Sequence, residues 1–429
     1  MGGMPFGFGV GGSGGGFDVN SLGAALQQLG RMLQSGGEDG PVQWSVVTDV
    51  ARGVITNAGD PSVSDAQRRS VTEACTLADV WLDPVTVFPA TAAAPQTWCK
   101  SDWLVNTMPV WKRIVEPIGA QMSAAMNNNL PALGSDPQAV LNSLPENVRE
   151  MLPEGFTPDM AAMLVPMLGM VQKLGAAAFS MQLGQALGSL SGDVLSASDI
   201  GIPLTEEPSR AIVAGAVAEF GSGLNIDEKD VMLYVALRES AHDRLFAHVP
   251  WLRARAIGAV EAYAQHMHVS SQRLSEAMQG IDISNPEALQ ELMAGGLVEP
   301  EPTDEQRAAL ARLETLLALI EGWVDEVVTR AIGDRMPSAP ALQEAFRRRR
   351  AAGGPAEKSF GTLIGMELRP RLAREAGTVF AAVRSSQGES KRDALWGHPD
   401  FLPDAEQLED PLGFVETVGE NSDEPPTLG

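Results

Sequence analysis

Apolar residues recur every three or four positions along much of the chain, the spacing that places them on one face of a helix. The longest such segment begins at Thr303 and ends at about Ile332. Its predicted apolar face consists of Leu310, Leu313, Leu317, Ile320, Val324 and Val327. Thr303 and Gln306 have the spacing of a capping box, which predicts that the helix begins there. Because no segment shows the run of alternating residues typical of half-buried strands, the fold is predicted to be mainly α.

A second strong helix is predicted over residues 225–249, with Asn225 as its N-cap and Glu228 completing the capping pattern. Pro250 is expected to help end this helix, because proline cannot continue one. Further helices are predicted over residues 157–192, 252–268, 284–295 and 359–387.

The chain is predicted to consist of a glycine-rich flexible tail, an N-terminal helical region, a larger helical domain and an acidic disordered tail. Their bounds are 1–40, 41–156, 157–405 and 406–429. The boundary at 156 rests on a proline- and glycine-containing stretch that has the composition of a linker. Within the larger domain, Gly184 and Gly188 have a spacing that permits two helices to pack closely.

The formal net charge of −24 argues against nucleic acid and anionic membranes as partners, since both bind basic surfaces. The basic run Arg347–Arg350 is interpreted as a solvated helix end or loop. Only two cysteines are present, which fits a reducing cytoplasm. The apolar run 161–171 is shorter than the roughly 20 residues of a membrane span. The chain is therefore expected to be a cytoplasmic protein.

Candidate chemistry lies in the predicted helix 225–249, within the segment LYVALRESAHDRLFAHVPW. Arg238, Glu239 and His242 match the helical zinc-protease motif HExxH, except that arginine replaces the first histidine. Positions 238 and 242 share a helix face, where two histidines can bind one metal. Glu239 has the position of the general base. The motif indicates a zinc hydrolase, but Arg238 argues against one because a guanidinium cannot ligate a metal.

A catalytic zinc needs three protein ligands and one open position. His242 is the first candidate ligand, and His248 has the spacing of the third histidine in HExxHxxGxxH. Leu245 replaces the glycine of that motif, and six residues of straight helix rotate by about 600°, so His248 would face away from His242. Glu321 and Asp325 share a face of the later helix, where like charges repel unless a cation lies between them. Glu321 is the preferred partner of His242.

Two hypotheses follow from the arginine. In one, Arg238 takes the electrostatic place of the metal and pairs with Glu321, Asp325 or Glu239, so that the site is structural and free of zinc. In the other, His242, Glu321 and one more group hold zinc, and Arg238 stabilises the developing oxyanion. The sequence leaves both open.

Three segments, LYVALRESAHDRLFAHVPWL, LLALIEGWVDEVV and RDALWGHPDFLPDAEQLEDPLGF, resemble the bacterial zincin-like metallopeptidase family, whose members are labelled hydrolases or zinc-dependent metalloproteases. The resemblance extends from Trp44 to Phe414. It implies a mostly helical zincin-like domain with zinc as cofactor, and some members are named for an association with deazaflavin coenzyme biosynthesis. Glu239 and His242 match the family motif, and the RExxH form that begins at Arg238 is typical of one branch.

The first expectation is therefore a zinc-dependent metallopeptidase that acts on peptide or amide substrates, with Glu239 as general base. The alternative is a metal-free zincin-fold protein that binds or scaffolds a peptide or protein partner without cutting it. A third hypothesis is a non-peptidase hydrolase or an accessory protein of cofactor metabolism.

Overall fold

A computed structural model describes residues 40–129, 158–265, 303–351 and 372–420. The helices of these residues are, in chain order, α1 (Trp44–Ala58), α2 (Asp65–Leu82), α3 (Lys100–Asn129), α4 (Pro158–Asp193), α5 (Ala214–Ser222), α6 (Glu228–His248), α7 (Pro250–Gln265), α8 (Asp304–Ile332), α9 (Ala339–Ala351), α10 (Ala373–Gln387), α11 (Glu389–Ala394), α12 (Ala405–Glu409) and α13 (Pro411–Glu420). Two short 3₁₀ turns, Leu395–Gly397 and Pro399–Phe401, follow α11. The prediction of a mainly α fold is confirmed.

The described residues also contain one small parallel pair of strands, β1 (Gln96–Trp98) and β2 (Ala211–Val213). Their register aligns Gln96 with Ala211 and Trp98 with Val213. Each strand has only three residues, which is too short to produce a recognisable alternation in the sequence. The pair matters because β2 lies next to the helix that carries the motif.

The start of α8 is the one that the sequence predicts. The Thr303 hydroxyl accepts from the Gln306 amide, and the Gln306 side chain accepts from the Thr303 amide. The predicted start of α6 at Asn225 is wrong, since Asp227 caps this helix. Asn225 has a φ of 52°, in the left-handed region, whereas an N-cap needs extended backbone.

Pro250, which was expected to end α6, also opens α7. The first turn of a helix tolerates proline because its missing N–H would have no partner there.

Helices α1 and α4 cross in close contact. A Cβ on Gly184 would lie 2.7 Å from the Val47 carbonyl oxygen, and one on Gly188 would lie 2.7 Å from the Val54 Cβ. The predicted packing role of this glycine pair is confirmed. The described residues after position 40 belong to one compact unit. The boundary at 156 stays a prediction.

A buried polar network holds α11 against α8 and the loop after α2. The Asp393 carboxylate accepts from the Trp323 indole at 2.8 Å and from the Thr86 hydroxyl at 2.8 Å. The guanidinium of Arg392 pairs with Asp393 and with Glu326. Arg392 and Asp393 are almost completely buried, and a charge in that environment is stable only when it is paired.

The predicted disorder from residue 406 onward is wrong for residues 406–420, which are mostly helical. Asp404 and Gln407 form a capping box at the start of α12. Leu408 and Phe414 are buried, and α12 and α13 both pack on α10. The lack of basic residues suggested disorder, but this burial of apolar side chains offsets the entropy lost on ordering.

Several predicted segments lie outside the described residues. They are the glycine-rich tail up to residue 39, the stretch 130–157, the end (266–268) of the predicted helix 252–268, the helix 284–295, the first part (359–371) of the predicted helix 359–387, and residues 421–429. Among the described helices, none is long and apolar enough to cross a membrane.

Candidate functional site

Helix α6 runs through the interior of the protein, and every residue from Val231 to Phe246 is buried. Its polar side chains therefore need partners inside the protein. They form two clusters on two faces of the helix. Arg238 and His242 contact α8, whereas Glu239 contacts β2 and the loop before it.

Arg238 forms ion pairs with both acidic residues of α8 that the sequence singled out. Its Nη2 lies 2.6 Å from Glu321 Oε2, and its Nη1 bonds Asp325 Oδ1. The guanidinium also lies over the Phe346 ring, 5.3 Å from the centroid. Burial alone would lower the pKa of Arg238, but Asp325 and Glu321 outweigh it and raise the pKa above its usual range. The predicted pairing of Arg238 with carboxylates of α8 is confirmed.

His242 lies against the same carboxylate. Its Nδ1 is 2.9 Å from the Arg238 carbonyl oxygen, and its Nε2 is 3.3 Å from Glu321 Oε1. A carbonyl and a carboxylate only accept hydrogen bonds, so an imidazole nitrogen that carries a proton donates to whichever of the two it faces. The structure thus brings His242 and Glu321 together, as the sequence predicts, but within a cluster of cations.

A further cation at Glu321 comes from a residue outside the motif and its predicted partners. Arg350, near the end of α9, pairs with Glu321 Oε2. Burial by itself raises the pKa of Glu321, but Arg350, His242 and Arg238 together bring it well below its ordinary value. Glu321 is therefore a carboxylate that is already neutralised by protein groups.

The interpretation of Arg347–Arg350 as a solvated helix end is wrong for two of these residues. Arg349 lies 2.8 Å from Asp199, and Arg350 pairs with Glu321. Arg348 pairs with Glu344 and is 78% exposed. The run itself does not indicate which of its arginines form buried ion pairs, because the acidic partners of Arg349 and Arg350 lie far away in the sequence.

Glu239 occupies a different environment from Glu321. It is fully buried, and its two oxygens accept from the Ser198 amide at 3.2 Å and the Ala211 amide at 3.3 Å. Burial raises the pKa of Glu239 to about 8, although the Ser196 hydroxyl and the two amides act in the opposite direction. The described ion pairs of Arg238 are with Glu321 and Asp325, so Glu239 is not its partner.

His248 has other partners. Its Nδ1 lies 2.9 Å from the Arg244 carbonyl oxygen, and its ring stacks on Phe88 with the centroids 5.9 Å apart. These contacts differ from those of His242, in agreement with the helix rotation between the two residues. A ligand role for His248 stays a prediction that these contacts do not favour.

The arrangement does not fit a zinc ion. Both Glu321 oxygens are engaged by His242, Arg238 or Arg350, and Asp325 is bonded to Arg238. Within the four described ranges, no three His, Cys, Asp or Glu side chains are grouped so that they could hold a metal. Two guanidinium groups at one carboxylate would also repel a dication.

Comparison with known families decides the relationship of the chain. A model of the zincin-like metallopeptidases matches residues 42–415. The chain belongs to this zincin-like metallopeptidase family. The match includes the motif helix α6 and its partner α8, so this zincin-like chain has arginine at position 238 within a recognised family domain.

One solved structure has the same fold as this zincin-like protein. It is the crystal structure of a "putative hydrolase with a novel fold" from Chloroflexus aurantiacus, with a TM-score of 0.58 and 17% sequence identity. The alignment covers 90% of this chain and 100% of that one. At this identity the likeness establishes the fold and carries no information on activity. A search of curated proteins finds no match.

The raised pKa of Glu239 predicts a pH-dependent stability. Between pH 4.5 and about 8, the unfolded chain has released this proton while the folded protein keeps it, so stability falls as the pH rises. Below this window both states are protonated, and above it both are ionised. Glu239→Gln should remove a slope of up to about 1.4 kcal/mol per pH unit.

Denaturant unfolding of the wild type and Glu239→Gln across this pH range measures the difference. Glu73→Gln, at an exposed position of α2, is the control and should keep the wild-type slope. Parallel pH profiles for the wild type and Glu239→Gln would contradict the raised pKa.

Proposed function

We propose that this zincin-like protein is a metal-independent module that binds peptides without cutting them. The observation that carries the proposal is the double ion pair of Arg238 with Glu321 and Asp325. The guanidinium supplies positive charge next to His242 and Glu321, the two side chains that the sequence offers as the first zinc ligands. The arginine is then a replacement for the metal charge.

The energetics favour keeping the arginine in place. Because the pKa of Arg238 is raised, its buried guanidinium stays charged and keeps its need for acidic partners. A zinc ion that took Glu321 and Asp325 would leave a buried guanidinium without partners, and breaking a buried ion pair typically costs about 3–5 kcal/mol. Zinc would have to outweigh this cost while gaining few free ligands.

Glu239 also fits a role other than general base. With a pKa of about 8, the Glu239 carboxyl is protonated in most molecules at neutral pH. A protonated carboxyl cannot accept a proton from water. Its oxygens are held by the Ser198 and Ala211 amides, which gives it a role in fixing α6 to β2.

The peptide-binding part of the proposal rests on the family, whose members are described as metallopeptidases. A fold that recognises peptides can keep this property when the catalytic metal is lost. The zinc-dependent peptidase remains the competing function, and the association with deazaflavin biosynthesis stays a prediction.

A random-sequence peptide library separates the two functions. The library is incubated with the wild type and with Glu239→Gln, with and without added zinc. New peptide termini are measured by mass spectrometry, and the peptides retained on immobilised protein are identified. We expect retention of a subset of peptides and no new termini. Zinc-dependent termini that disappear in Glu239→Gln would overturn the proposal in favour of the peptidase, and retention of no peptide would overturn the binding part.

A further inference from the structure

Helix α9 packs on the Arg238 cluster with one face turned inward. Leu342, Phe346 and Arg350 are four positions apart, so they share that face. Leu342 is 0% exposed and Phe346 is 4% exposed, whereas the other described side chains of α9 are partly or fully exposed. The helix is therefore attached by two apolar side chains and by polar contacts.

The Phe346 ring packs into an aromatic corner between α5 and α6. Its centroid lies 5.2 Å from that of Phe220 on α5 and 5.3 Å from that of Tyr234 on α6. The Arg238 guanidinium lies over the same ring, 5.3 Å from the centroid. Aromatic and cation–π contacts of this kind add to the stabilisation from burying the ring. Phe346 thus anchors α9 to the motif helix.

Two arginines of α9 bind acids beside this corner. Arg350 pairs with Glu321 of α8, and Arg349 lies 2.8 Å from Asp199 in the loop after α4. The arginine side chains are 24% and 19% exposed, so solvent and salt reach both ion pairs from outside. Glu321 and Asp199 are 3% and 6% exposed. The surface beneath α9 therefore offers buried carboxylates to a basic helix.

These contacts are typical of a helical peptide bound in a groove. Such peptides insert apolar anchors from one helix face, and neighbouring charges add specificity. Helix α9 follows this pattern and carries four arginines and one glutamate, in a chain whose net charge is −24. Segments that bury few apolar side chains open at a lower free energy than the core, and α6, by contrast, is buried from Val231 to Phe246. A competing basic helix can therefore displace α9 while α6 stays in place.

We propose that α9 is an internal ligand, and that the surface of α5, α6 and α8 beneath it binds a basic amphipathic helix of a partner protein. The matching pattern is an apolar residue, an aromatic residue four positions later and an arginine four positions after that, as in Leu342, Phe346 and Arg350. The partner helix displaces α9 and takes over its contacts with Tyr234 and Glu321. This role of α9 rests on the proposed function, because it names the class of peptide that the module binds.

The test is fluorescence anisotropy with a labelled peptide of residues 339–351, APALQEAFRRRRA, and full-length protein. The wild type should bind it weakly, because α9 occupies the surface. Arg350→Gln removes the internal arginine from Glu321, so we expect at least about 10-fold tighter binding of the peptide. Arg348→Gln removes the same charge from a side chain that is 78% exposed, and it should bind like the wild type. A probe that itself carries Arg350→Gln should lose the gain.

Arg349→Gln provides an independent variant, since it releases α9 from Asp199 and leaves the partners of Glu321 unchanged. It should bind the peptide at least about 3-fold more tightly than the wild type, because the ion pair that it removes is partly exposed. Equal affinities of the wild type, Arg349→Gln and Arg350→Gln would overturn this role of α9. The absence of saturable binding to Arg350→Gln would overturn it as well.

The random-sequence library separates this failure from a failure of the proposed function. We expect Arg350→Gln to enrich basic peptides in which an arginine follows an aromatic residue by four positions. Library peptides retained equally by the wild type and Arg350→Gln would show that peptides bind elsewhere, so the proposed function would stand and the role of α9 would fall. Retention of no peptide by either protein would overturn both.

Discussion

Glu321→Gln is expected to lower the free energy of unfolding by about 3–5 kcal/mol, the usual result of removing one partner from a buried ion pair. Glu321 is 3% exposed and is the common partner of Arg238, Arg350 and His242. Glutamine keeps the shape of the side chain but leaves the buried guanidinium of Arg238 with Asp325 as its remaining acid partner. Denaturant unfolding at neutral pH measures the loss.

The control for this variant is Glu73→Gln, which removes a carboxylate from an exposed position and should change stability little. A double-mutant cycle with Arg238→Gln tests the pair itself. Because each single variant already breaks the same contact, the double variant should lose less than the sum of the two. Additive losses, or a loss in Glu321→Gln no larger than that of the control, would contradict the role of Glu321 as the centre of the cluster.

Asp393→Asn is the second variant with a large expected effect, a loss of about 3–5 kcal/mol of stability. Asp393 is 1% exposed and accepts from Trp323, Thr86 and Arg392. An asparagine has one acceptor oxygen and an amide that donates, so at least one of these donors would face another donor. The charge of the almost completely buried Arg392 would then be balanced by Glu326 alone.

Thermal and denaturant unfolding measure this loss, with the exposed Asp334→Asn as the matched control. The network joins α11 to α8 and lies apart from the Arg238 cluster, so we expect the peptide-binding readout to stay unchanged in the fraction that remains folded. A stability equal to that of Asp334→Asn would show that the network is not required.

The sequence predicted the long helix α8 and the ion pairs of Arg238. The three-four spacing and the capping box of Thr303 are local signals, and α8 follows them closely. The pairing of Arg238 with Glu321 and Asp325 was also predictable, because a buried arginine and two acids on one helix face need each other. The need of a buried guanidinium for acidic partners therefore predicted its contacts, although the first histidine of the motif is missing.

The rest of the site depends on contacts between distant parts of the chain. Arg350 reaches Glu321 because α9 packs against α6, which itself packs against α8. The exposed Arg348, two residues earlier, is chemically identical. The environment of Glu239 is set by backbone amides, which any residue type supplies. The sequence alone does not show that Asp243 Oδ1 is buried without a hydrogen-bond partner among the described residues, since that is a property of packing.

The C-terminal segment shows how composition can mislead. Its acidic character suggested disorder, yet Leu408 and Phe414 are buried and Asp404 caps a helix. A few well-placed apolar residues can order a short segment when a preformed helix surface, here α10, is available to cover them.

Zinc content shows whether Arg238 replaces the metal. Wild type and Arg238→His are incubated with excess zinc, exchanged into zinc-free buffer and measured by elemental analysis. We expect wild-type zinc far below one per chain, and about one per chain in Arg238→His, which adds a ligand beside His242 and removes the guanidinium. One zinc per chain that the wild type retains and His242→Ala does not would show that Arg238 does not replace the metal.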